Sequence, residues 1–126
     1  MARCSVSLMT QLLGNALTIT LEPEVDARRD DDNSTVQTGA VFLSELAAGA
    51  VDVWGAEVGR FRSVTTDEIF VVLQGRATVT FEGTNETISI GRGDVVRLYA
   101  GQRNVWETIE PIRKVSFYVP GLNKLA

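Results

Sequence analysis

The side chains able to do chemistry in this sequence are defined first by what is missing. Its 126 residues contain no histidine and one cysteine, Cys4. Without imidazole there is no Ser-His or Cys-His nucleophilic pair and no imidazole-based metal site. A single cysteine excludes an intramolecular disulfide and a thiolate zinc cage. Carboxylate, amide, hydroxyl and guanidinium chemistry is left. The candidates to carry it are Glu68, Asn104, Arg62, Arg97, Tyr99 and the adjacent pair Arg113 and Lys114. Trp54 and Trp106 are either core residues or flat walls of a pocket whose N–H groups orient a polar ligand. Asp94, in Gly91-Arg92-Gly93-Asp94, reads as a turn residue bonding nearby backbone N–H groups. That run is not a phosphate loop, because no helix is expected after it.

Strands must position these residues. From Thr35 onward the chain is a succession of short β-rich runs: Val36–Leu46, Ala50–Val58, Phe61–Val64, Glu68–Gln74, Arg76–Phe81, Glu86–Ile90, Val95–Tyr99, Val105–Ile109 and Ile112–Val119. Turn residues separate them, among them Gly59, Gly75, Gly101 and Pro111. Ser44–Ala48 has room for one turn of helix. Strands this short at this spacing predict an all-β sandwich or small barrel. Alternation then sorts the faces: with Glu68 inward, Phe70 and Val72 follow it, while Asn104, Trp106 and Thr108 share one face. The expected organisation is an N-terminal arm with an acidic loop over residues 1–34 and one β domain over 35–126. Within the arm, Ala16–Leu21 is either irregular or an added edge strand.

Composition sets the partners. Apolar residues make up 44% and charged residues 22%, so a single core can form without staples. The net charge of -4 comes from Glu22 to Asp32, where six acids meet two arginines; the rest of the chain balances. That run is expected to be a solvated loop, and with no basic face nucleic acid is not an expected partner. The apolar N-terminal stretch is broken by Gln11, Gly14 and Asn15 and lacks a clean cleavage site. No run approaches the roughly eighteen apolar residues of a membrane span. The expectation is a cytoplasmic protein with no membrane partner, in which Cys4 is incidental.

The turn positions resemble those of the cupin superfamily. Its first motif runs Gly, five residues, His-x-His, three or four residues, Glu, six residues, Gly; here stand Gly55, Phe61-Arg62-Ser63, Glu68 and Gly75. Its second motif is matched in spacing by Gly93, Tyr99-Ala100-Gly101, Asn104 and Thr108, with Tyr for Pro, Asn for His and Thr for Asn. The elements VDVWGAEVGRFRS, DEIFVVLQGRATVTFEG, GRGDVV and NVWETIEPIRKV resemble the branch that includes ethanolamine-utilisation cupins and ureidoglycine aminohydrolase. The resemblance spans about residues 50 to 118. It implies an RmlC-like double-stranded β-helix, or jelly-roll sandwich, with a pocket at one end and dimerisation through a sheet edge. Leu17–Pro23 is then a candidate for a strand that crosses between protomers.

At the places where a metal-binding cupin holds imidazoles, this chain has Phe61, Ser63 and Asn104 around Glu68. Such a set suits no transition metal, and an oxygen-only Mg²⁺ or Mn²⁺ site would need several waters, so no metal and no cofactor are expected. A buried Glu68 needs an Arg partner, a ligand or a proton, and Arg62 and Arg97 are the candidate partners. Glu68 is the candidate catalytic residue. Arg62, Tyr99, Asn104, Trp106, Trp54 and Lys114 are the candidate ligand-binding residues. Three functions are open. The pocket binds a small polar or anionic metabolite without a metal, or Glu68 serves as acid/base in a small-metabolite enzyme of amidohydrolase, aminohydrolase or isomerase type, or the pocket is vestigial in a structural homodimer. Loss of histidine does not forbid the second, since a positioned carboxylate contributes about 10² to 10⁴ in rate.

Overall fold

The computed structural model describes residues 11–24 and 36–119. Cys4 and the acidic loop from Val25 to Thr35 lie outside the described residues. Eight strands follow in order: β1 Glu22–Pro23, β2 Thr38–Leu46, β3 Gly49–Ala56, β4 Gly59–Val64, β5 Glu68–Phe81, β6 Thr87–Gly91, β7 Val95–Leu98 and β8 Arg103–Tyr118.

β5 and β8 organise everything else. They pair antiparallel along their whole length, from Glu68 opposite Tyr118 to Phe81 opposite Asn104. The other edge of β8 takes β4 along its first half and β3 along its second. Likewise β7 pairs with the first half of β5 and β6 with the second. Two strand groups, β2-β3-β8-β5-β7 and β4-β8-β5-β6, therefore share one ribbon. The ribbon folds back where its register shifts, between Val72 and Ala77. Gly75 sits in that shift at φ 87°, and a Cβ there would lie 2.1 Å from the Pro111 carbonyl oxygen. Only glycine fits so close an approach, and Pro111, which has no N–H to offer the ladder, sits where the register shifts. The fold-back brings Trp54 of one half against Trp106 of the other, ring centroids 5.4 Å apart. The result is a jelly-roll β-sandwich whose core includes Phe70, Val72, Val79, Leu98 and Ile112.

Directly paired residues put their side chains on one face. In the first half of β5 the inward rows read Ala50–Tyr118–Glu68, Asp52–Ser116–Phe70 and Trp54–Lys114–Val72. In the second half they read Ser63–Asn104–Phe81, Phe61–Trp106–Val79 and Gly59–Thr108–Ala77.

Local expectations are corrected at the strand junctions and at Ser44–Ala48, and the course of the arm is resolved. Glu68–Gln74 and Arg76–Phe81 form one strand, and so do the two runs either side of Pro111, because the irregularities at Gly75 and Pro111 face each other and bend the ribbon without ending it. Ser44–Ala48 is not helical: β2 runs to Leu46, and Ala47, at φ 54°, turns the hairpin into β3. Of the two alternatives for Ala16–Leu21 the irregular one holds: the Asn15 carbonyl accepts from the Thr18 and Ile19 amides, and its side chain accepts from Leu17 N–H. Of the Leu17–Pro23 stretch only Glu22–Pro23 is a strand, and it pairs antiparallel with β2. The arm is tied down by Arg113, whose guanidinium donates to the Ala16 and Ile19 carbonyls at 3.1 and 2.8 Å. No helix among the described residues is long and apolar enough to cross a membrane.

Candidate functional site

Three consecutive inward rows of the first half supply the polar part of the site. Lys114 lies between Trp54 and Val72 and is 4% exposed. Its Nζ donates to Glu68 Oε2 at 3.0 Å and to Ser116 Oγ at 2.5 Å. The same ammonium sits 4.5 Å from the centroid of the Phe70 ring and 4.9 Å from that of Trp54. Burial alone would lower the lysine's pKa, but the Glu68, Tyr118 and Asp52 charges and the hydrogen bond to Glu68 outweigh it, and the net shift is upward from 10.5. Tyr118 is also raised, from 10.0, by burial first and by the carboxylates of Glu68 and Asp52, against the opposing pull of Lys114. At neutral pH the centre of the site is an ammonium held by a carboxylate and a hydroxyl, with a neutral phenol beside it.

Aromatic rings fill most of the remaining space. Phe61 and Trp106 stack at 6.0 Å with planes 11° apart, and Phe70 packs on Trp106 at 5.9 Å. A cavity of about 20 Å³ is left, lined on its polar side by Ser63, Thr65, Glu68, Lys114 and Tyr118. That is room for one water-sized group. The nearby turn is rigid. Thr65 Oγ1 donates to the Tyr99 carbonyl at 2.7 Å, and buried Asp67 accepts from Arg97 Nη2 and from the Ala100 amide at 3.3 and 3.1 Å. Trp54 Nε1 donates to Glu24 Oε1 of the arm at 2.8 Å, which fixes the indole facing Lys114.

The candidate residues separate into three places. Glu68, Lys114, Trp54 and Trp106 all line the cavity. Asn104 is fully buried one row away, beside Ser63, and neither its Oδ1 nor its Nδ2 has a hydrogen-bond partner. Arg62 and Tyr99 do not line the cavity: Arg62 points outward toward Glu82 at 3.8 Å, and Tyr99 is 46% exposed with the Arg97 guanidinium 4.0 Å over its ring. The expected partners of Glu68 are corrected. Arg62 and Arg97 are engaged elsewhere, and Lys114 takes the carboxylate, because alternation turns Lys114 inward and Arg113 outward. Asp94 is the turn residue expected of it, its carboxylate accepting from Gly91 N–H at 2.8 Å. Ser116, Tyr118, Asp52, Thr65 and Glu24 were not singled out from the sequence. Counting by twos from Lys114 reaches Ser116 and Tyr118; Glu24 carries no such signal.

The fold's usual metal does not fit this set. Its positions offer a phenyl ring, one hydroxyl and one amide, and the carboxylate already binds an ammonium. Among the described residues no group of three or more His, Cys, Asp or Glu could hold a metal ion.

Known proteins place this geometry. The structure is similar to the EutQ protein of Clostridium difficile (TM-score 0.63, 16% identity, covering 79% of this chain and 80% of that one). It is similar to a putative ethanolamine utilization protein Q of Salmonella typhimurium (TM-score 0.59, 21% identity, 81% and 98%). A DUF861 family protein of Thermotoga maritima shares 32% identity over 53% of this chain and 76% of that one, with a TM-score of 0.51. No curated protein sequence matches. Residues 43–115 match the profile of the EutQ-like cupin domain, more than half of the chain. The protein belongs to the EutQ-like cupin domain family.

Proposed function

We propose that this cupin binds a small polar molecule in its interior pocket without a metal. The observation that carries the reading is the cavity itself: Ser63, Thr65, Glu68, Lys114 and Tyr118 converge on one small volume walled by aromatic faces. Pockets of this kind fix a ligand with a few placed polar groups on apolar walls. The volume admits one water-sized polar group of a ligand, such as a hydroxyl or a carbonyl oxygen, so the rest of a metabolite would lie toward the surface. An uncharged head group suits the site better than an anion. The positive charge of Lys114 is already answered by Glu68, and Asp52 adds a second carboxylate close enough to act on it.

Thermal-shift titration with amides, ureas and polyols against carboxylates and amines tests this, together with native mass spectrometry for a co-purified ligand. The expected result is saturable stabilisation by a neutral compound that is lost in Ser63→Val. Stabilisation by none of the classes overturns the reading. A second reading, catalysis with Glu68 as acid or base, is favoured by the placement of that carboxylate at the cavity. It predicts turnover of the bound compound that disappears in Glu68→Gln while binding persists.

A further inference from the structure

The surroundings of Lys114 Nζ have the composition of an ammonium receptor. A carboxylate oxygen lies at 3.0 Å, a hydroxyl at 2.5 Å, and two aromatic faces at 4.5 and 4.9 Å. Ring faces beside a carboxylate are what recognition of alkylammonium ions uses. Here the guest is tethered: the four methylenes of the side chain carry the cation in from β8. Glu68, the one residue conventional for a metal ligand at these positions, is satisfied by that guest.

We propose that Lys114 is the specificity-determining residue of the pocket. It acts as a built-in cation that fills a receptor formed by Glu68, Ser116, Trp54 and Phe70, and so turns the site away from amines and metal ions. The receptor half of this inference stands on geometry alone; the consequence for ligand choice rests on the proposed function. A free cation entering the native pocket would meet a resident ammonium within hydrogen-bond reach of the same carboxylate, and like charges at that range repel.

Lys114→Ala removes Cγ, Cδ, Cε and Nζ, the heavy atoms of n-propylammonium, so that ion is the probe. It should stabilise Lys114→Ala saturably, roughly tenfold more tightly than methylammonium, which lacks two buried methylenes. It should leave the wild type and the Glu68→Gln/Lys114→Ala double variant unmoved. Absence of saturable stabilisation, or equal stabilisation of the double variant, overturns the receptor. If Lys114→Ala does not stay folded, recovery from denaturant with and without n-propylammonium gives the same reading. In the wild type, Mn²⁺ and Zn²⁺ should show no binding that depends on Glu68; stoichiometric, Glu68-dependent metal overturns the exclusion. A wild type that binds no neutral compound removes the proposed function and does not alter the propylammonium result.

Discussion

The two halves of β8 bury polar side chains on opposite terms. In the second half Lys114 and Ser116 are 4% and 0% exposed, and Lys114 donates to both Ser116 and Glu68. In the first half Asn104 and Thr108, at 0% and 2%, have side-chain atoms with no hydrogen-bond partner. The strand is the same, the burial is the same, and the energetics differ. A buried ion pair that is fully bonded is roughly neutral against an apolar replacement, but destabilising when one member is removed. An unbonded buried amide or hydroxyl is a standing loss of about 1–3 kcal/mol. Lys114 therefore joins Glu68 and Ser116 in one bonded unit, whereas Asn104 and Thr108 leave hydrogen-bonding capacity unmet; under the proposed function a ligand head group beside Ser63 would give Asn104 a partner.

The largest effect should come from splitting the pair. Lys114→Met or Glu68→Leu alone should lose about 3–5 kcal/mol in urea unfolding, while the double variant recovers most of it. Additive losses in the double variant would show that the two residues do not form one unit. Next, Asn104→Leu and Thr108→Val should each raise stability by about 1 kcal/mol, the reverse sign. Asn104→Leu should also weaken ligand binding; a loss of stability there would mean that the amide has a partner in solution.

Alkaline pH acts on the half that holds Lys114 and Tyr118. Lys114 and Tyr118 both have folded values above their ordinary 10.5 and 10.0, so their contribution is complete below about pH 10 and falls as pH climbs through the folded values. Lys114→Met should show a flatter alkaline limb in Tm against pH. The smallest effect belongs to Arg62→Ala. Its pair with Glu82 is about half exposed on the arginine side, and about 0–0.5 kcal/mol is expected in the same urea assay.

The all-β sandwich, and the shared face of Glu68, Phe70 and Val72, were legible in the sequence. Those follow from composition, turn spacing and period-2 alternation, all of them local signals. The partner of Glu68 was not legible. Lys114 is 46 residues away, and its facing depends on how the ribbon passes the irregularity at Pro111, where one residue of register exchanges Arg113 for Lys114. The reach of Glu24 to Trp54 was hidden for a related reason. It depends on where a short arm lands on the sheet, which no periodicity encodes.

β8 sets the order in which this molecule can be made. It is the common edge for β3, β4 and β5, and it is the last of the described strands. A nascent chain that has emerged only to Gln102 holds hairpins but no β5–β8 ribbon, so neither half of the sandwich can close. Closure of the sandwich must wait until β8 has left the ribosome, with long loops closed late and slowly. Until then Glu68 and its aromatic neighbours stand open to solvent and to chaperones. The pocket comes into being only when β8 does.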